Sequence, residues 1–221
     1  MLINNTINTL ERFWPLFLNG LGVTLWLSFL TVFLGTILGG LITFVKMNKY
    51  KLVSFLATAY IEIIRGTPLL LQLYVFAFLL PMITGVRLPM FQSVLIAMVL
   101  NSSAYVSEII RSGINAVDKG QTEAARSLGL SSKQTMLKII LPQAVKNILP
   151  TLGNEFIMVV KETALASVFF LGDLMTVVNT IRGSHFLTIE PLIIAAIIYF
   201  SVTFSLSKLL AFYERRLASS D

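Results

Sequence analysis

The chain has 221 residues, of which 56% are hydrophobic and 13% charged, with a mean hydropathy of +0.82 and a formal net charge of +6. This balance fits a multi-span membrane protein better than a soluble domain. With no Cys and a single His, thiol nucleophiles, disulfides and Cys-ligated metal centres are excluded, and zinc has almost no protein ligands.

Residues 1–16 read as an external N-terminal segment: Asn, Thr, Glu and one Arg precede the apolar run. They lack the basic start, short apolar stretch and small-residue cleavage site of a secretory signal, so the first span is expected to stay as an anchor. That span, 17–45, carries Gly20, Gly22, Gly35, Gly39 and Gly40 among Thr24, Ser28, Thr31 and Thr36. Such residues let helix backbones approach closely in lipid, although membrane helices also tolerate glycine without any partner.

The second span, 67–80, follows a charged interruption. Glu62 and Arg65 interrupt an apolar run that begins near Leu52. The part before Pro68 is expected either at the interface, or inside a bundle, or as the start of one long tilted helix. A third span covers 89–110, a fourth 151–171 and a fifth 191–212. A soluble all-helical protein is the competing class, and so many apolar runs at or near about 18 residues weigh against it.

A polar-faced hairpin is expected between the third and fourth spans. Residues 121–128 can form a short helix with Ala124, Ala125 and Leu128 on one strip, ended by Gly129. Ser131 with Gln134 three positions on has capping-box spacing, starting a second helix that buries Met136, Leu137, Ile139 and Ile140 and is broken by Pro142. A loop that grips something in water while both ends are anchored in lipid can carry force between the two.

Positive charge gathers on alternate connections. Lys46, Lys49 and Lys51 follow the first span, Arg111, Lys119, Arg126, Lys133, Lys138 and Lys146 flank or occupy the long loop, and Arg215 and Arg216 follow the fifth span. Only Arg12, Arg87 and Arg182 lie on the other side. The positive-inside rule therefore sets the N-terminus outside and the C-terminus, with a tail at 217–221, in the cytoplasm. Topology accounts for the basic balance, and no basic groove with interleaved aromatics suggests nucleic acid.

Four further segments carry a family resemblance. The spacing Glu123-Ala124-Ala125, Gly129, Ile139, Leu141-Pro142 resembles the signature of importer-type ABC transporter permeases. Ile61-Glu62-Ile63-Ile64-Arg65-Gly66-Thr67-Pro68, Asn101-Ser102-Ser103-Ala104-Tyr105 with Glu108-Ile109-Ile110-Arg111, and Asn154-Glu155-Phe156 with Lys161-Glu162-Thr163 narrow it to the polar amino acid permease family. The resemblance implies an all-α, five-transmembrane-helix permease of the bacterial cytoplasmic (inner) membrane. It implies partners: a second permease subunit, the same or related, two ATP-binding subunits and an external substrate-binding protein. It also implies that 112–150 is a cytoplasmic coupling region, with Glu123, Ala124, Ala125 and Gly129 contacting the ATP-binding subunit.

No cofactor is expected in this chain, and ATP with Mg belongs to the partner. The sequence has no Gly-rich turn leading to Gly-Lys-Ser/Thr, no HExxH and no GxSxG. A catalytic role for Glu62, Glu108, Glu155 or Glu162 would therefore lack a recognisable motif, and the chain is not expected to be an enzyme.

Buried polar residues have two possible duties. Glu62 with Arg65, and Glu108 with Arg111, lie three apart on helices and are expected to pair structurally. Gln72, Asn101 and Glu162 are candidates for a substrate pathway, since amides can serve both ends of an amino acid zwitterion; hydrogen bonding between helices is the other reading. An ion-coupled secondary carrier or a non-transport scaffold remains as a different class of function.

Overall fold

The computed structural model describes residues 2–218, with side chains through 216, so the tail expected at 217–221 lies largely outside the described residues. Three helices are long and apolar enough to cross a bilayer: α1 (Leu2–Lys46), α5 (Met90–Asn115) and α10 (Glu190–Ala218). Two bent pairs bring the number to five. The first joins α2 (Lys51–Arg65) to α3 (Leu69–Tyr74), a π-helical turn (Val75–Leu79) and α4 (Leu80–Thr84), with a bend of 105°. The second runs through α8 (Leu141–Glu162) and a 3-10 segment (Thr163–Phe169), then bends by 43° into α9 (Leu174–His185). Between α5 and α8 lie the short helices α6 (Lys119–Ser127) and α7 (Ser132–Thr135) and a second π turn (Met136–Ile140).

The first helix starts earlier than the sequence suggested. Residues 2–16 are continuous with the span instead of forming a separate segment, and the helix passes through Pro15. Ile3, Ile7, Leu10, Trp14 and Phe17 recur at helical spacing, a signal that extends the apolar stripe to the start of the chain. Proline removes one hydrogen bond, to the carbonyl four residues earlier. Buried Phe13 and Phe17 hold the helix on either side of that gap by packing against Leu174, Val178 and Ile181 of α9 and Ile194 of α10.

The 105° bend excludes the single long tilted helix. Gly66 closes α2 by donating to the Glu62 carbonyl at 2.8 Å. Pro68 disfavours helical geometry at Thr67, and a new helix starts immediately after it. The central core then joins Leu27 of α1, Leu73 and Ala77 after the bend, Val94 and Met98 of α5, Val159 of α8 and Phe169.

α1 packs along α5 through small residues. A Cβ at Gly35 would lie 3.0 Å from Ser102 Cβ, and one at Gly39 would lie 2.8 Å from the Ser103 carbonyl oxygen. This four-residue spacing lets the backbones meet where lipid supplies little hydrophobic drive. A Cβ at Gly22 would meet nothing within 4 Å, so that glycine has no packing reason. Polar atoms close the same seam: Thr43 Oγ1 donates to the Gly39 carbonyl at 2.8 Å and lies 3.1 Å from Ser107 Oγ.

Both π turns are followed closely by proline, and the same physical reason applies to each. Leu80 N–H reaches back five residues to the Val75 carbonyl just before Pro81, and Leu141 N–H reaches the Met136 carbonyl just before Pro142. A proline ring inside a regular helix clashes with the carbonyl four residues back. Widening the preceding turn by one residue relieves that clash. Pro142 is therefore not the expected breaker: α7, the π turn and α8 follow one another without a loop, and helix begins well before residue 151.

Candidate functional site

The hairpin is built by local rules. Asp118 caps α6, its Oδ1 accepting from Gly120 N–H at 2.6 Å. At the other end Gly129 adopts φ +86°, the left-handed region that glycine enters at little cost. Leu130 N–H then bonds the Ala125 carbonyl at 3.1 Å and Gly129 N–H that of Arg126 at 3.0 Å, satisfying carbonyls left open by the helix end. The capping box is present in both directions: Ser131 N–H donates to Gln134 Oε1 at 2.9 Å, and Gln134 N–H to Ser131 Oγ at 3.3 Å.

The hairpin's two faces differ from the expected strip. Ala125 is buried, whereas Glu123 and Ala124 are exposed and Leu128 is 81% exposed. The inner face rests on a cluster of Val117, Ile140, Ala144 and Ile148, flanked by Ile109, Ile110 and Ile114 of α5. A Cβ at Gly113 would sit 2.4 Å from Ile148 Cγ1, so α5 and α8 interlock directly above the hairpin. The result is a rigid knob fixed to two spans, with an unpartnered apolar side chain at its tip.

Polar groups inside the bundle form three arrangements. Asn101 Nδ2 donates to Gln72 Oε1 at 2.9 Å, and Gln72 Nε2 donates to the Ile64 carbonyl at 2.7 Å and to Thr67 Oγ1 at 2.9 Å. The two amides thus brace the 105° bend against α5, the helix-to-helix use of these residues. No hydrogen bond links Glu162 to either amide; its carboxylate is half-buried at the junction of α8 with the 3-10 segment and makes no hydrogen bond or ion pair among the described residues. Next to Asn101, Ser102 Oγ donates to Glu155 Oε1 at 3.0 Å, both residues being buried.

The third arrangement is ionic. Glu108 takes Arg111 Nη2 at 2.7 Å and Lys46 Nζ at 2.5 Å. The Arg111 contact follows from helical spacing. Lys46 comes from the far end of α1, 62 residues away, and local spacing gave no signal for it. Glu62 and Arg65, expected as a second pair, do not pair: both are exposed, and the Arg65 guanidinium instead lies 5.3 Å from the centre of the Tyr105 ring. A guanidinium over an aromatic face gains attraction without losing its water, an option that spacing alone does not reveal.

Two further ties were not foreseen. Tyr60 OH donates to the Leu100 carbonyl at 2.8 Å and shares a 2.8 Å contact with Ser103 Oγ, fastening α2 to α5. Asp173 caps α9 through Met175 N–H at 3.0 Å and Thr176, while Thr24 Oγ1 on α1 accepts from Leu174 N–H at 3.1 Å. Among the described residues no three His, Cys, Asp or Glu side chains converge where they could hold a metal. The arrangement joins helices through polar contacts and leaves the hairpin tip exposed.

Comparison with known proteins matches this architecture over nearly the whole chain. The arginine transport system permease protein ArtQ of Bacillus subtilis (strain 168) is 41% identical over 207 residues, covering 94% of each chain. A putative glutamine transport system permease protein GlnP of Rickettsia bellii (strain RML369-C) is 41% identical over 198 residues, 90% of this chain and 91% of that one. A crystal structure of an amino acid ABC transporter with histidines superposes with a TM-score of 0.91 at 48% identity, covering 94% of this chain and 97% of the other. The model of the binding-protein-dependent transport system inner membrane component matches residues 13–219, and the chain is a member of that family, the permease of an ABC transporter.

Proposed function

We propose that this permease imports polar amino acids, and that its exposed hairpin receives the force of ATP hydrolysis from separate ATP-binding subunits. The observation that carries the reading is the hairpin tip: Leu128 is 81% exposed beside exposed Glu123 and Ala124, while the opposite face is locked to α5 and α8. An apolar side chain held out in water on a rigid support suits a groove on a partner. Relatives named for arginine and glutamine transport, and a transporter crystallised with histidines, favour a polar amino acid as cargo.

The assembly we propose has a second permease, the same or related, two ATP-binding subunits holding ATP and Mg, and an external binding protein. The N-terminus lies outside and the C-terminus in the cytoplasm, with the hairpin at the cytoplasmic face, a reading supported by the Lys and Arg distribution. Closure of the ATP-binding subunits displaces the hairpin. Because α7, the π turn, α8 and the 3-10 segment follow one another without a loop from 132 to 169, displacement reaches Glu162 within the bundle. Glu162 offers a carboxylate to the cargo's cationic end, and the braced Gln72–Asn101 pair contributes to the pathway. The bundle alternates between openings as the hairpin is driven and released.

The test is uptake of a mixed panel of radiolabelled amino acids into proteoliposomes containing the permease, its copurified ATP-binding subunit and the binding protein. Leu128→Asp, which alters an exposed position, should leave the permease folded and lower ATP-dependent uptake at least ten-fold. Unchanged uptake would overturn the role of the tip, and ATP-independent accumulation would make the protein a secondary carrier. Normal transport by Asn101→Ala would remove that residue from the substrate pathway.

A further inference from the structure

A groove of about 820 Å³ runs between the end of α1 and the hairpin, a size that suits a small amphiphile. Gly40, Thr43 and Phe44 form one wall, and Met136, Leu137 and Val145 form the other. Phe44 is 79% and Leu137 52% exposed, so the apolar walls are open to the surroundings of the bundle. Asn48 and Lys49, just past the end of α1, bring an amide and an ammonium to the groove, while the hydroxyls of Thr36 and Thr43 are bonded to carbonyls of α1 itself. Asn48 Oδ1 accepts from Tyr50 N–H at 3.0 Å, so the oxygen is engaged and the Nδ2 amide is the group left to donate. Lys49 Nζ stands 5.2 Å from the centre of the Tyr50 ring, and Lys51 follows two residues later. The nearest acidic group in this region of α5, Glu108, is already engaged by Lys46 and Arg111.

An apolar trough with a cationic and amide-donating mouth complements a molecule with a hydrocarbon tail and a negative head. We propose that the groove binds one anionic phospholipid, its acyl chain between α1 and the π turn and its phosphodiester against Asn48 and Lys49. A protein helix would need polar partners only at one end and apolar contact elsewhere, whereas a phospholipid has that division built in. Since one wall belongs to α1 and the other to the π turn and the start of α8, which carry the hairpin, a bound lipid favours the relative placement of these elements at which the groove is this wide. The site is thus placed to tune coupling according to the charge of the membrane.

The test uses the full complex in nanodiscs and phosphatidylglycerol carrying a photoreactive group in its acyl chain, followed by peptide mapping. Label should fall on peptides containing residues 40–49 and 136–149, and unlabelled phosphatidylglycerol should compete while phosphatidylcholine does not. Lys49→Gln should reduce that label about five-fold, the contribution expected of one lysine near an anionic lipid, and Lys208→Gln on α10 should leave it unchanged. Equal competition by phosphatidylcholine would overturn the proposal, as would undiminished label in Lys49→Gln. Absence of label from both walls, or crosslinking of the groove to a second permease copy, would overturn it as well. None of these readouts depends on uptake, so failure here leaves the transport reading intact.

Discussion

Both ends of the Gln72 amide are engaged within the chain, by Asn101 on one side and by the broken backbone around Thr67 on the other. Removing the Asn101 side chain would leave Gln72 Oε1 buried without a donor, at a cost of about 1 kcal/mol. A double-mutant cycle with Asn101→Ala and Gln72→Ala, followed by thermal unfolding of the purified complex, should therefore give a coupling energy of about 1 kcal/mol. Strictly additive losses would mean the bond contributes nothing. Both residues were recognisable in the sequence as polar groups in apolar spans, but their mutual contact was not, because 29 residues and a sharp bend separate them. Glu108 divides the same way: its partner three residues on was legible, whereas Lys46 needed the packing of α1 on α5. Arg65 shows the opposite error, for correct helical spacing to Glu62 lost to the face of Tyr105.

Single elements were read best where local chemistry decides them. Gly129 and the Ser131–Gln134 box sit where spacing put them, since φ beyond zero and an open helix end are satisfied by neighbours in sequence. Gly129→Ala should cost about 1–2 kcal/mol from the left-handed backbone alone, and Ser131→Ala about 1 kcal/mol from the lost cap. Hydrogen exchange of the intact complex should show the penalty as faster exchange confined to 119–140, with the spans unaffected. Exchange unchanged in the hairpin would mean that the turn tolerates a different geometry. The element boundaries were less legible. Pro142 reads as a stop in any sequence rule, yet a π turn ahead of it lets the helix run on, with Ile140 and Ala144 buried on either side of the junction.

Across the whole molecule, up to five spans and the hairpin between the third and fourth were legible from hydropathy and spacing, because lipid demands long apolar helices and leaves few alternatives. Which faces meet was not, since in lipid an exposed Leu and a buried Leu are equally apolar. The glycines of α1 illustrate it: Gly39 supports the main seam to α5, while Gly22 faces open space. Gly39→Val should destabilise the complex by about 1–3 kcal/mol through overpacking, with Gly22→Ala nearly neutral, measured as the shift in thermal unfolding of each variant. Equal effects at the two positions would sink the assignment of that seam. The widened turn at Met136–Ile140 has a consequence for how such permeases can change length. Loss of one residue from it would restore regular winding and turn everything on the hairpin side by about 100° about the helix axis, swinging Leu128 and Glu123 away from their present bearing. On the coupling role proposed above, a one-residue deletion there would misaim the docking surface relative to the fourth span and bring back the clash at Pro142 that the wide turn relieves.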